Sequence, residues 1–207
     1  IVQKNPVTFI NGDNMQFLRW CKENMLYKHF HVGIVDPPYG ISVGNMKLGA
    51  TANSKPREYE MGNWDNEVPT LEYWYLLNYC CRNLIIWGGN YFTEDFGRFL
   101  VTIDNNGDEY IHNEKSLEDF DFSNLKSIRL DRGIKAGRCA LAWDKMNNGM
   151  SFADFELAIT TFDSVARIIK KSRNIKEEDG DKRHPTQKPV YLYDYLHINF
   201  VEKGQRV

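Results

Sequence analysis

The tetrapeptide Asp36-Pro37-Pro38-Tyr39 combines residue types that suit chemistry at an exocyclic amine. The lone pair of such an amine is delocalised into its aromatic ring, so the amine is a poor nucleophile. Two acceptors aimed at its hydrogens would localise the lone pair. The Asp36 carboxylate and the Pro37 carbonyl are suitable, because the Pro-Pro backbone is stiff and has no N–H. Tyr39 can stack on an extruded base, so the tetrapeptide predicts catalysis by orientation and electrostatics without a covalent intermediate.

The position of the tetrapeptide supports this interpretation. It directly follows the apolar run Val32-Gly33-Ile34-Val35, and open α/β sheets bind ligands at the carboxyl ends of their strands. The structural alternative is a strand that ends in a proline turn, with Asp36 capping a neighbouring segment. Both interpretations place Asp36 at the end of a buried strand.

Apolar runs that alternate with helical patterns organise the rest of the chain. Asp13 and Thr70 suit helix N-caps, and Pro189 suits the first turn of a last helix. Strands are predicted at 7–10, 31–35, 84–87, 139–143, 156–161 and 165–169. We therefore expect one α/β domain over residues 1–207, with a mainly parallel sheet, helices on both faces and a late antiparallel strand pair. Trp87 and Trp143 are predicted in the core.

Two polar segments interrupt this order. Residues 103–135 read as an insertion, and residues 171–183 read as a charged loop. Basic side chains cluster in or beside each segment, which suits phosphate contacts and target recognition on DNA, although a solvated surface explains each cluster equally well. The first cluster is Lys126, Arg129, Arg132, Lys135 and Arg138, and the second is Arg167, Lys170, Lys171, Arg173, Lys176, Lys182 and Arg183.

The net charge, cysteine content and hydropathy of the chain restrict its possible functions less than the motifs do. The formal net charge of -2 over 207 residues neither supports nor excludes DNA, because binding depends on where the charge lies. The four cysteines form no C-x-x-C pair, which argues against zinc or a disulfide framework and favours reduced thiols in the cytoplasm. No apolar run reaches the length of a membrane span. The chain starts at Ile1 and stops where Gly204 to Val207 read as the start of a strand, so we expect a longer polypeptide.

Several segments, in this order, resemble an amino-group DNA methyltransferase of the permuted type, in which the catalytic motif precedes the cofactor glycine loop. The match covers nearly the whole chain, and the pairing of D-P-P-Y with H-P-T-Q-K-P is its most specific part. The matching segments are Asn11-Gly12-Asp13, Asp36 to Tyr39, Trp64-Asp65, Leu84 to Tyr91, Trp143-Asp144-Lys145, Ser151 to Leu157 and His184 to Pro189.

The resemblance implies a Rossmann-like S-adenosylmethionine-dependent fold and methyl transfer to N6 of an adenine flipped out of double-stranded DNA. By the same resemblance, Asp36, Pro37, Pro38 and Tyr39 are catalytic, no metal is needed, and the protein is cytoplasmic in a bacterium or encoded by a phage. A homodimer and a cognate restriction endonuclease are further partners that it suggests. The cofactor candidates are Asp13, Asp36, His184, Thr186, Gln187 and Lys188. A helix cap is an equally good interpretation of Asp13.

One difference from the family pattern leaves alternatives to adenine methylation open. In the family, an acidic and glycine-rich turn that holds the methionine end of the cofactor follows the last helix, and the sequence stops at Val207 before it. A catalytically defective DNA-binding remnant is therefore one alternative. Cytosine-N4 methylation is another, because the same acceptors serve that amine, although S-P-P-Y is more usual there. An RNA substrate is not excluded.

Overall fold

The computed structural model describes residues 7–41, 65–113, 122–146, 154–172 and 187–207. The charged loop predicted at 171–183 lies largely outside them, and so does most of the polar segment 41–69. Within these ranges no helix is long and apolar enough to cross a membrane.

Three α-helices occur in this part of the chain, α1 (Asn14–Glu23), α2 (Leu71–Cys80) and α3 (Val190–Phe200). Two of them begin at the predicted caps, because a side-chain oxygen there satisfies a backbone N–H of the first turn. Asp13 accepts from the Met15 N–H at 2.8 Å, and Thr70 accepts from the Tyr73 N–H at 3.3 Å. Pro189 is the N-cap of α3, one residue before its first turn.

The larger sheet has five strands, which are β1 (Phe30–Val35), β2 (Cys81–Trp87), β6 (Ala140–Asp144), β7 (Phe155–Thr160) and β8 (Arg167–Lys170). Their order in the sheet is β1-β2-β7-β6-β8. β1 runs parallel to β2, and β6 runs parallel to β8, whereas β7 is antiparallel to both of its neighbours.

A second sheet lies between β2 and β6 in the sequence. Its three antiparallel strands, in the order β4-β3-β5, are β3 (Phe99–Asp104), β4 (Glu109–Asn113) and β5 (Leu125–Asp131). The predicted polar insertion at 103–135 therefore contains most of an ordered sheet. β3 joins it to the core, because its residues from Phe99 to Val101 are buried.

Side chains along β2 alternate between the two faces of the larger sheet. Leu84 and Ile86 belong to a first cluster, which also contains buried residues of α1, α2 and β3. Ile85 and Trp87 belong to a second cluster, which also contains Leu192, Leu196 and Phe200 of α3. Trp87 and Trp143 are buried in the second cluster, which confirms their predicted core positions.

The expected Rossmann-like fold, a mainly parallel sheet with helices on both faces, is wrong. The five-stranded sheet is mixed, the three-stranded sheet is antiparallel, and the described ranges contain only three α-helices. The physical reason lies in the connections. A parallel neighbour requires a crossover, usually through a helix, whereas β7 is antiparallel to both β2 and β6 and requires none. Strands, not helices, fill much of the region between β2 and β6.

Three local predictions also need correction. Residues 7–10 do not form a buried strand, because they pair with no described strand and Phe9 is 92% exposed. The two late strands do not pair with each other, since β7 and β8 flank β6 on opposite sides. Residues after Gly204 form no strand, although the Arg206 carbonyl accepts from the His31 and Val32 N–H groups at the outer edge of β1.

Candidate active site

Asp36 lies immediately beyond the last residue of β1, as the sequence predicts. Val35 pairs with Ile86 of β2, and Pro37, which has no N–H to offer a ladder, is buried just after the strand. The Asp36 side chain remains 30% exposed. The stiff Pro-Pro segment therefore presents a carboxylate at the carboxyl edge of the sheet.

Two side chains hold this carboxylate. The Lys188 ammonium donates to Asp36 Oδ1 and Oδ2, each at 2.8 Å, and the Tyr39 hydroxyl donates to Oδ1 at 2.8 Å. Lys188 is 152 residues away in sequence and just precedes α3. The packing of α3 on the second face of the sheet thus brings this cation to the end of β1.

The ion pair with Asp36 continues into a row of four alternating charges. Lys188 Nζ lies 2.9 Å from Glu156 Oε2, and Lys145 Nζ lies 2.5 Å from Glu156 Oε1. The Lys188–Glu156 contact is an ion pair without the alignment of a hydrogen bond. We call Asp36, Lys188, Glu156 and Lys145 the charge row. Glu156 and Lys145 come from adjoining ends of the antiparallel strands β7 and β6.

The neighbouring charges in the row stabilise the charged forms of Lys188 and Glu156. Burial acts to lower the pKa of Lys188, but Glu156 and Asp36 outweigh it and raise that pKa. Burial acts to raise the pKa of Glu156, but Lys188 and Lys145 outweigh it and lower that pKa. Both groups are therefore charged at neutral pH. The ammonium of Lys188 also lies 5.5 Å from the centroid of the Trp87 ring, which favours the cation.

The ring of Tyr39 is packed tightly. Its face stacks on Tyr91 with a centroid distance of 5.2 Å, and a Cβ added at Gly88 would lie 2.2 Å from Tyr39 Cε1. The Tyr39 N–H donates to the buried carboxylate of Asp65 at 2.7 Å. Burial and the nearby Asp36 raise the pKa of the Tyr39 hydroxyl, so it remains protonated and can donate. The Tyr91 ring is itself 59% exposed.

The predicted cofactor residues are distributed unevenly. Asp36 and Lys188 meet in the charge row, whereas Asp13 is an exposed cap of α1. His184 and Thr186 lie outside the described residues. Gln187 is partly buried beside Lys188 in sequence.

Most of the described basic residues proposed for DNA are exposed, and several have partners. Arg129 binds Asp131 and the Tyr75 hydroxyl, and Arg138 pairs with Asp163. The exposed positions are Lys126, Arg129, Arg132, Lys135, Arg138, Arg167 and Lys170. The sequence expectation of a solvated basic surface and that of phosphate contacts both remain consistent with this arrangement.

Sequence reasoning missed three contributors to the site, Lys145, Asp65 and Tyr91. Glu156 was predicted only as the first residue of the strand at 156–161, and the structure pairs it with Lys145 and Lys188. The available signal was local to β6 and β7: if the two strands are taken as an antiparallel pair, Lys145 and Glu156 fall at the same end. The contact of this pair with Lys188 had no signal in the linear sequence.

Comparison with protein-family models, with curated proteins and with solved structures finds no match for this chain.

Proposed function

We propose that this protein transfers a methyl group from S-adenosylmethionine to N6 of an adenine extruded from double-stranded DNA. The observation that carries the proposal is the Asp36 carboxylate, which is partly exposed at the end of β1 and paired with the Lys188 ammonium. Such a carboxylate is an acceptor for an amine, and the adjoining Pro37 carbonyl is a second acceptor on a rigid backbone.

The hydrogen bonds of Asp36 leave room for the substrate. An ionised carboxylate offers about four lone-pair positions. Within the described ranges, Oδ1 accepts from Tyr39 and Lys188, and Oδ2 accepts from Lys188 alone. Oδ2 therefore retains a lone pair that can accept one N6 hydrogen.

The chain's own groups then act on the amine. Asp36 Oδ2 and the Pro37 carbonyl accept its two hydrogens, so the nitrogen becomes pyramidal and its lone pair points away from the ring. S-adenosylmethionine supplies the methyl group as an electrophilic carbon on a sulfonium centre. The N6–carbon bond would form as the methyl–sulfur bond breaks, with its electron pair kept by the sulfur, which leaves as a neutral thioether. The methylated amine would then lose one proton, for which the Asp36 carboxylate is the acceptor. Fixed acceptors need no reorganisation at this step.

An aromatic contact would hold the adenine ring. Tyr39 is fixed by its bond to Asp36 and by its stack on Tyr91. The exposed Tyr91 ring either turns aside for the base or offers its own face to it, and stacking on either tyrosine orients the amine toward Asp36.

Few of the described residues are suited to bind S-adenosylmethionine. An exposed carboxylate at Asp36 suits a cationic sulfonium, and Gln187 offers an amide. The charge of Lys188 is already offset by two carboxylates, those of Asp36 and Glu156, so Lys188 is a poor partner for the carboxylate of the cofactor. His184, Thr186 and Asp13 stay candidates on the resemblance alone.

A labelling experiment tests the proposal. The protein is incubated with S-adenosylmethionine labelled in its methyl group and with duplex DNA of mixed sequence, and the DNA is then digested to nucleosides. We expect label in N6-methyldeoxyadenosine. Label only in N4-methyldeoxycytidine would reject the adenine assignment in favour of the cytosine alternative, and no label in either nucleoside would reject methyl transfer to DNA.

The variant Asp36→Asn tests the carboxylate itself. It keeps the size of the side chain but removes the charge, and we expect the rate of transfer to fall by about 100-fold or more. Asp163→Asn is the matched control, because Asp163 is an exposed carboxylate with its own basic partner, Arg138. A rate in Asp36→Asn equal to that of the control would remove Asp36 from the mechanism.

A further inference from the structure

The charge row sums to zero, and its two ammonium groups are more enclosed than its two carboxylates. Asp36 and Glu156 contribute two negative charges, and Lys188 and Lys145 contribute two positive charges. The side chain of Lys188 is only 4% exposed and that of Lys145 is 8% exposed, so neither ammonium can rely on water. Three carboxylate oxygens lie close to Lys188 Nζ, namely the two oxygens of Asp36, which accept hydrogen bonds, and Glu156 Oε2, which is an ion-pair partner at 2.9 Å.

We propose that Lys188 is a positioning residue for the Asp36 carboxylate, and that Glu156, itself held by Lys145, keeps Lys188 in place. This inference rests on the proposed methyl transfer, in which Asp36 must present one lone pair to the amine. It assigns Lys188 a role other than cofactor binding, and it assigns roles to Glu156 and Lys145 that the sequence does not suggest.

The geometry explains why Asp36 needs this support. Asp36 lies beyond the hydrogen-bonded part of β1, and a carboxylate can rotate about its Cβ–Cγ bond. Lys188 contacts both oxygens at 2.8 Å, so rotation in either direction lengthens one of the two bonds. Tyr39 contacts only Oδ1, and together the two donors leave Oδ2 as the oxygen that faces the substrate.

The position of Lys188 depends in turn on Glu156. Bound to Asp36 alone, the ammonium could follow that side chain toward solvent, because lysine side chains extend their heads to water where they can. Glu156 attracts it from the opposite side at 2.9 Å, and Trp87 lies beneath it. Lys145 neutralises the second oxygen of Glu156, so the carboxylate cannot turn away from the row without breaking a 2.5 Å ion pair.

The first test needs no enzymatic activity. A buried and paired ammonium exchanges its hydrogens slowly with water, so Lys188 should give a ¹H–¹⁵N ammonium NMR signal at neutral pH, identified by its loss in Lys188→Met. In Glu156→Gln we expect exchange about tenfold faster or more, as for the loss of a close charge partner. Glu23→Gln, at an exposed position on α1, is the matched control. Exchange that is equally slow in both variants would overturn the inference.

The second test separates positioning from cofactor binding. A positioning residue changes the rate of transfer and leaves the affinity for S-adenosylmethionine intact. For Lys188→Met we expect kcat to fall by about 100-fold, with the Kd of S-adenosylmethionine within about threefold of the wild type. Lys203→Met, an exposed lysine after α3, is the control. An intact kcat with a large loss of cofactor affinity would instead make Lys188 a cofactor ligand.

A neutral double variant guards against unfolding. Glu156→Gln alone leaves Lys145 without its partner, whereas Lys145→Met with Glu156→Gln removes one charge of each sign and leaves the Asp36–Lys188 pair intact. We expect this double variant to stay folded, with faster ammonium exchange and a lower kcat than the wild type. A wild-type protein that transfers no methyl group would refute the proposed function. The hydrogen-exchange rate of the Lys188 ammonium in Asp36→Asn would then test the contact between Lys188 and Asp36 independently of catalysis. An exchange rate equal to that of the wild type would overturn this contact.

Discussion

Gly88 shows how one residue can govern the ring of Tyr39. It directly follows β2 and has a φ of +63°, in the left-handed region, and a Cβ there would lie 2.2 Å from Tyr39 Cε1. In Gly88→Ala we expect the free energy of unfolding to fall by about 1–2 kcal/mol from the backbone and by about 1–3 kcal/mol more from the clash. Urea unfolding measures the loss, and the rate of methyl transfer reports the displaced ring.

Gly107 provides the matched control for this prediction. Its φ is +94°, yet a Cβ added there meets no atom within 4 Å. Gly107→Ala should therefore show the backbone cost alone, without an effect on transfer. Equal losses of stability in the two variants, together with full activity in Gly88→Ala, would mean that the Tyr39 ring is not constrained by Gly88.

Because of Glu156, the free energy of unfolding should vary with pH in the acidic range. Its pKa in the folded state lies below the usual 4.5, so it contributes stability that is fully present above pH 4.5 and is lost as the pH falls below that value. At pH 7 we expect Glu156→Gln to be less stable than the wild type by about 3 kcal/mol, since it leaves Lys145 and Lys188 short of a partner. Urea unfolding should show this difference shrinking below pH 4.5. A difference that is constant from pH 7 to pH 3.5 would contradict a charged Glu156.

For single residues, the sequence predicts a position or a contact when it depends on residues that are adjacent in the chain. Asp36 was predictable at the end of a strand because the apolar run and the two prolines are adjacent to it. The resemblance alone singled out Lys188, and its contact with Asp36 was not predictable, because 152 residues separate them. Glu156 and Lys145 join the charge row only through the pairing of β6 with β7 and the docking of α3.

Among the elements, α1 depends on its cap. Asp13 accepts from the Met15 N–H at 2.8 Å and satisfies one of the unpaired donors of the first turn. Asp13→Ala should lower the free energy of unfolding by about 1 kcal/mol, whereas Asp13→Asn, which caps as well as Asp, should change it little. Thermal unfolding of both variants checks this. Calorimetry with S-adenosylmethionine checks the other role of Asp13, and lost affinity in Asp13→Asn at an unchanged Tm would support it.

Helices and sheets differ in how far their local sequence predicts them. α1 and α2 were predictable at their first residues, because an N-cap is a contact between residues two or three positions apart. The second sheet was not, because the polar residues around β4 and β5 resemble a loop until they pair with β3. The exposed strand β5 shows the reason, since its pairing with β3, rather than burial, holds it in place.

For the whole molecule, strand direction was the main property that the sequence left open. The apolar runs of β1, β2, β6 and β7 predict buried strands whichever way each one points. The antiparallel course of β7 between β2 and β6 comes from contacts that are distant in sequence, such as Ile85 with Thr160. An expectation based on alternating elements therefore produced the wrong fold class, while it located most of the strands correctly.

The two clusters of the core should behave as one cooperative unit, because β2 contributes to both. Ile86 faces the first cluster and Ile85 faces the second, and both are fully buried. Ile86→Val and Ile85→Val should each lower the free energy of unfolding by about 0.5–1.5 kcal/mol. Because their side chains pack in separate clusters, the losses should add to within about 0.5 kcal/mol in the double variant. Urea unfolding, followed by both tryptophan fluorescence and circular dichroism, should give a single transition.

A pair on the same face is the control for this additivity. Leu84 and Ile86 both point into the first cluster, two residues apart along β2. Leu84→Ala and Ile86→Val should therefore couple by about 0.5 kcal/mol or more, because one side chain can relax into the space that the other leaves. Coupling between Ile85 and Ile86 as large as in this control would mean that the faces are not independent. Two separate transitions would mean that β2 does not join the two clusters into one cooperative unit. The docking of α3 could then be lost while the first cluster stays folded, and the contact of Lys188 with Asp36 would be lost with it.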